Sequence, residues 1–187
     1  MTFPIRVARD ERDLDLVRAL FREYAAGLGV DLCFQGFEDE LASLPGKYAP
    51  PLGILLLAGA PGDAVGCAAL RPIELEARQP PQPGSDSNLT PVSMAGAFVP
   101  PVGEVKRLYV QPRARGTGTG RALATAIVDA ARAIGYRTLC LDTLGRMSEA
   151  RALYESLGFR PCAKYYDNPL DDAVYYSLPL ADRGHGR

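Results

Sequence analysis

The sequence predicts a single-domain α/β fold on three observations. A strand, a glycine-rich loop, an amphipathic helix and a second strand follow one another between Glu104 and Asp142. Two helical patterns precede this unit, and an alternating strand, Ala173 to Leu180, follows it. A strand–helix–strand crossover makes its two strands parallel neighbours, whereas tight hairpins make antiparallel ones. At 187 residues the chain can bury a core without disulfide or metal staples.

Ile5 to Ala8 reads as a short apolar strand. Asp10 then opens a run in which Leu14, Val17, Phe21, Tyr24 and Leu28 recur at helical spacing. Phe37, Leu41 and Leu44 mark a second helix that stops at Pro45-Gly46, and Gly53 to Ala58 and Ala64 to Leu70 form a hairpin around the turn PGD at 61–63. Residues 73–101 change character: they are proline-rich and contain QPPQPGSDSNLTP, which reads as a long mobile insertion within one domain of residues 1–182. After it come strand Glu104 to Val110, a helix with Leu123, Ile127, Ala130 and Ile134 on one face, and strand Thr138 to Asp142. A helix from Ser148 to Leu157 stops at Gly158, and Phe159 to Ala163 and the final strand complete the pattern. Residues 183–187 read as a disordered tail.

Composition narrows the function. Lys and Arg number 21 against 22 Asp and Glu, so no bulk charge draws the chain to nucleic acid. The most apolar stretch, LGILLLAGA at 52–60, falls far short of the ~20 residues that span a bilayer, and the N-terminus has no apolar leader pattern. We therefore expect a cytoplasmic protein, monomer or homodimer, with no nucleic-acid or membrane partner. Cys33, Cys67, Cys140 and Cys162 form no C-x-x-C pair and read as small buried residues in a reducing compartment. The only histidine, His185, lies in the tail, which disfavours a Ser-His-Asp triad or a histidine metal site. No metal is expected.

The stretch RARGTGTGRAL, 113–123, sets bare backbone and three arginines at a helix start, where free N–H groups and the helix dipole favour a phosphate. It is not a P-loop, because no Lys follows the glycines, and it is not the dinucleotide fingerprint, because Arg121 stands where the third glycine is required. It does satisfy [Q/R]-x-x-G-x-[G/A] in two overlapping registers, at Arg113, Gly116 and Gly118 and at Arg115, Gly118 and Gly120. A second motif, ARALYESLGF at 150–159, follows at a matching distance. Together they resemble the GNAT superfamily of acetyl-CoA-dependent N-acetyltransferases, in specific residues over 104–160 and in element order over roughly 3–180.

The resemblance implies a mixed, mostly antiparallel sheet with helices on both faces and a central parallel splay. It implies acetyl-CoA as cosubstrate, with Arg113, Arg115, Gly116, Thr117, Gly118, Thr119, Gly120 and Arg121 around the pyrophosphate, Val110 bonding the pantetheine amides and the Leu108 N–H facing the acyl oxygen. Glu104, at even spacing from Leu108 and Val110 and hence expected on their face, becomes either the base that removes the amine proton, a strand-end surface carboxylate, or a partner of Lys106 or Arg107. Tyr154 becomes either the acid for the departing thiolate or a core aromatic. Phe34, Tyr165 and Tyr166 are candidate walls for an amine acceptor, with Asp167 or Asn168 near its ammonium or in turn chemistry. Many members carry Asn where this chain has Met147, so that contact is lost or made by Ser148. The implied reaction is acetylation of a small primary amine; alternatives are a non-catalytic acyl-CoA-binding domain, a protein N-acetyltransferase, or a nucleotide-binding protein of another fold.

Because Gln79 to Thr90 shows no buried periodicity and loop closure varies slowly with length, deleting it is expected to leave cooperative unfolding intact. Loss of the cooperative transition in a urea titration would show that this segment packs.

Overall fold

The computed structural model describes residues 3–29, 36–73, 92–94, 97–99 and 102–180. Their order is β1 (Ile5–Val7), α1 (Glu11–Leu28), α2 (Phe37–Ala42), a 3-10 turn (Gly46–Tyr48), β2 (Ile54–Ala60) and β3 (Asp63–Pro72). There follow β4 (Val92–Met94), β5 (Ala97–Val99), β6 (Val102–Val110), a 3-10 turn (Pro112–Ala114), α3 (Thr119–Ile134), β7 (Thr138–Leu144), α4 (Ser148–Ser156), β8 (Arg160–Pro161) and β9 (Ala173–Pro179). Seven strands form one sheet in the order β1-β2-β3-β6-β7-β9-β8. Every neighbouring pair is antiparallel except β6 and β7.

Strand alternation divides the apolar residues between two faces. Leu55, Leu57, Cys67 and Ala69 pack under α1 and α2 with Val17, Phe21, Phe37 and Leu41, while Leu56, Val65, Leu70, Leu139 and Leu141 pack under α3 with Leu123, Ile127 and Ala131. The helices thus cover both faces. Asp10 starts α1 by accepting the Asp13 N–H at 2.9 Å, and Arg6 of β1 holds Asp13 at 2.6 Å, fixing the helix to the sheet edge. In α3 the buried residue is Ala131 rather than the expected Ala130, which is half-buried, because the stripe drifts toward the sheet along the helix.

Within 73–101, read from sequence as a mobile insertion, β4 and β5 pair antiparallel as a separate two-stranded sheet. Most of the remainder, with 183–187, lies outside the described residues.

The central pair decides where a site can lie. β6 and β7 match only at Val102–Thr138, Gly103–Leu139 and Glu104–Cys140. Beyond Glu104 the strands part, and β7 continues against β9 through Leu144 while β6 continues against β3 through Val110.

Candidate active site

The parted strands open onto the glycine loop. Gln111 donates its backbone N–H to Val65 O at 2.8 Å, and Ala114 is fully buried, so the chain is pinned before the loop begins. Gly116 and Gly118 take φ +74° and +83°, the left-handed region that glycine enters at little cost. No atom lies within 4 Å of where a Cβ would stand on either. The glycines therefore serve the backbone turn and leave its outer side open, rather than relieving crowding inside the protein. The first bond of α3 runs from Ala122 N to Gly118 O at 3.0 Å, leaving the N–H groups of Thr119, Gly120 and Arg121 without a helical acceptor. The Thr117 hydroxyl donates to Ala114 O and lies 2.7 Å from that of Thr119, stiffening the turn.

The three arginines diverge. Arg115 lines the cleft and bonds Val110 O through Nε at 3.2 Å. Arg113 instead reaches Asp63 at 2.7 Å and Gln111 at 2.9 Å, and Arg121 reaches Ser156 Oγ at 2.9 Å. Neither of these two side chains lines the cleft, whose other walls are Leu108 to Val110, Gly116, Gly118 to Gly120, the start of α4, and Tyr24.

Deeper in, Val105 to Leu108, Asp142, Met147, Ala150, Leu170 and Tyr154 enclose a throat between the strands. Tyr154 is 7 % exposed, packs edge-on against Phe159 at 5.8 Å between ring centroids, and has no hydrogen-bond partner among the described residues. Burial, with Tyr24 and Asp142 adding, pushes its phenol well above the ordinary value, so it carries a proton at neutral pH. Met147 sits at both the cleft and the throat, and Ser148 beside it lines the cleft.

Glu104 does not share a face with Leu108 and Val110, contrary to the even spacing. Val105 packs with Leu108 and Val110 on the α3 side, because an extra residue in β6 reverses the alternation: Cys67 pairs with Tyr109 and Ala69 with Lys106, so Arg107 and Leu108 together face Ala68. Glu104 lies on the opposite face, 2 % exposed, which rules out a surface carboxylate. Its partners are Arg71 at 2.6 Å, Lys106 at 3.3 Å and the Tyr165 hydroxyl, which donates at 3.0 Å; Arg107 pairs instead with Glu40.

These residues belong to a buried ionic floor. Lys106 spans Glu104 and Asp142, 2.8 Å from the latter; Tyr166 donates to Asp142 at 2.9 Å and accepts from Asn168 at 2.9 Å. The rings of Tyr165, Tyr166 and Tyr175 pack within 5.3–5.8 Å. Burial followed by the neighbouring carboxylate raises the phenols of Tyr165 and Tyr166. Burial alone would raise the Asp142 carboxyl, but Lys106 and Tyr166 outweigh it and hold it below its ordinary range. Glu40 is likewise lowered, with Arg107 and the Tyr48 hydroxyl overcoming burial. Asp167 contacts Lys164 at 3.3 Å and Asn168 accepts from the Leu170 N–H at 3.0 Å, which is turn chemistry. Phe34 lies outside the described residues. Sequence reasoning missed the site roles of Arg71, Glu40, Asp142 and Tyr24, because nothing in the chain says which distant residue each of them meets.

Among the described residues, no cluster of three His, Cys, Asp or Glu side chains could hold a metal, and no helix is long and apolar enough to cross a membrane. The open nest of N–H groups, followed by an unpaired strand edge and a closed throat, fits a long ligand with a phosphate at one end and a reacting group at the other.

Comparison with known proteins identifies the family. A family model described as an acetyltransferase (GNAT) domain matches residues 51–161. An uncharacterized N-acetyltransferase of Schizosaccharomyces pombe is 36% identical over 171 residues, covering 91% of this chain and 90% of the relative. An aminoglycoside N(6')-acetyltransferase of Stenotrophomonas maltophilia is 30% identical over 144 residues, 76% of this chain and 78% of the relative. The yncA protein of Salmonella typhimurium, solved with its cofactor acetyl-CoA, shares the fold with a TM-score of 0.65 at 19% identity, over 98% of this chain and 97% of that one.

The ionic floor sets an acid limit on stability. Carboxyls whose folded-state pKa is depressed stabilise the fold fully above their unfolded value of about 4, and that contribution is lost as pH falls from there through the folded value. Urea unfolding of the wild type is expected to weaken steeply below pH 4, and Glu40→Gln, less stable at pH 7, to lose less on acidification. Parallel losses in the two proteins would contradict this account of Glu40.

Proposed function

The chain belongs to the GNAT acetyltransferases, and from that premise we propose that it transfers the acetyl group of acetyl-CoA to the primary amine of a small metabolite by direct attack. Acetyl-CoA is the cosubstrate and supplies the activated thioester. The carrying observation is the throat: it joins the cleft beside the glycine loop to the Asp142 carboxylate and a protonated phenol, and among the described residues no cysteine, serine or histidine lines it to form an acyl-enzyme, while the Thr143 hydroxyl is turned to Met147 Sδ.

Each residue then has a task. Backbone N–H groups of Gly116, Thr117, Gly118, Thr119, Gly120 and Arg121, with the Arg115 guanidinium, receive the pyrophosphate; Arg113 joins only by exchanging Asp63 for it. The Val110 backbone bonds the pantetheine amides as a missing strand would, and the Leu108 N–H faces the acyl oxygen. Tyr154 gives its proton to the departing thiolate. A thiol titrates near about 8.5, below this phenol, so Tyr154 stays protonated and meets the charge developing on the sulfur through its O–H, any proton it yields being restored from water as CoA leaves. Glu104 is the final carboxylate for the amine proton. It stands one Lys106 contact behind Asp142, so the proton travels through water at Asp142 rather than directly.

The acceptor lies on the face of the ionic floor, with Tyr165 and Tyr166 as its wall and Phe34 as a further candidate. The narrowness of the throat, which Leu28, Leu144 and Leu170 close around Lys106, Arg107 and Asp142, favours a small amine over a protein chain, and the aminoglycoside relative supports that reading.

A panel of primary amines with detection of free thiol tests the proposal: at least one amine should release CoA in step with acetamide formation. CoA binding without release for any amine would favour the non-catalytic alternative. With a working acceptor, Tyr154→Phe should leave acetyl-CoA affinity and melting temperature nearly unchanged and slow the chemical step by roughly 10² or more. Full activity in that variant, under conditions where chemistry limits the rate, removes Tyr154 from the mechanism.

A further inference from the structure

Arg107 has φ +56°, the one left-handed backbone angle among the described non-glycine residues. A side chain with a Cβ is disfavoured there, and a long one inside a strand has no local reason to stay. Something else must hold it. The Arg107 side chain is 3% exposed, and its Nε and Nη2 donate to the two carboxylate oxygens of Glu40 at 3.1 and 2.6 Å. Its guanidinium also lies over Phe37 at 5.2 Å and Tyr24 at 5.8 Å. A strained backbone in β6 is therefore clamped from above by α1 and α2, and by α2 through a bidentate, shielded ion pair.

The clamped residue is the one that matters geometrically. The peptide joining Arg107 to Leu108 carries the Leu108 N–H, and the extra residue at this point moves Leu108 and Val110 onto the α3 face beside the cleft. Relaxing residue 107 to extended backbone would rotate that N–H and return the following residues to ordinary alternation.

We propose that the Arg107–Glu40 pair is a positioning device for acetyl transfer: anchored on α2, it holds residue 107 left-handed and so directs the Leu108 N–H at the acyl oxygen. Arg107 lines the throat, but Glu40 takes up its guanidinium, and its effect runs through the backbone. The inference rests on the reading of Leu108 as the acyl-oxygen donor. It makes the docking of α2, on the acceptor side of the sheet, a requirement for the electrostatic part of catalysis on the other. Loss of one such donor typically slows the chemical step by about 10² to 10³.

The test needs no acceptor amine. Acetyl-CoA carrying ¹³C at the acetyl carbonyl is bound to wild type, Arg107→Ala, Arg107→Gly and Glu40→Gln, and the carbonyl stretch is followed by infrared difference spectroscopy. CoA and acetyl-CoA affinities are measured alongside. Wild type should shift the stretch to lower frequency. Arg107→Ala should lose the shift, together with the affinity advantage of acetyl-CoA over CoA, while CoA itself binds as before. Arg107→Gly loses the same ion pair but adopts the left-handed angle freely, so it should keep more of the shift than the alanine variant. Should the alanine variant fail to fold, Glu40→Gln, which preserves shape, should show a reduced shift. The proposal is overturned if Glu40→Gln and the folded Arg107 variants keep the full shift, if glycine does no better than alanine, or if CoA affinity falls in step with that of acetyl-CoA. A wild-type protein that binds acetyl-CoA with no shift would instead overturn the reading of Leu108, and the inference with it.

Discussion

Everything in the site depends on β6 and β7 ceasing to pair after three residues. A parallel pair buried at the centre of a sheet normally runs its full length, because unpaired N–H and C=O groups in the interior are costly. Here β7 keeps its partner β9 through Leu144 and β6 keeps β3 through Val110, so only the two facing edges go unpaired. The gap becomes a cleft whose walls are strand edge on one side and α4 on the other. A sheet edge left open inside a protein calls for an occupant with its own amides. In the function proposed above the pantetheine arm of acetyl-CoA fills that role, and the open N–H nest of the glycine loop begins where that edge ends.

The opposite face answers a different problem, that of holding parted strands in place. Three cations, Arg71, Lys106 and Arg107, meet three carboxylates, Glu104, Asp142 and Glu40, in a floor that ties β3, β6, β7 and α2 together. Buried ion pairs contribute little net stability against a well-packed apolar alternative, but removing one partner costs about 3–5 kcal/mol because the other charge is stranded. Such a floor is weak as glue and strong as a specifier of geometry. It also leaves one carboxylate, Asp142, lining the throat.

Much of this was legible in the residues. The strand–loop–helix–strand unit, the cap at Asp10, and the motifs at 113–123 and 150–159 are local patterns, and local patterns survive into the structure. The side of the strand on which Glu104 sits was not legible. Alternation is a count, and the extra residue at Arg107 breaks the count without a glycine or proline to announce it. Nor could the chain announce that Arg107 meets Glu40 and that Arg71 meets Glu104, since those pairings depend on how distant segments pack. Arg113 and Arg121 illustrate the same limit: both stand in the phosphate motif, yet nearby polar groups at Asp63 and Ser156 claim their side chains.

The account stands most directly on whether the cofactor fills the edge that β6 leaves open. Hydrogen–deuterium exchange resolved to single amides, with and without saturating acetyl-CoA, measures it. The account predicts that Leu108 and Val110 and the loop amides from Gly116 to Arg121 slow markedly with acetyl-CoA and not with ATP. Binding of acetyl-CoA that leaves Leu108 and Val110 exchanging as in the free protein would contradict it.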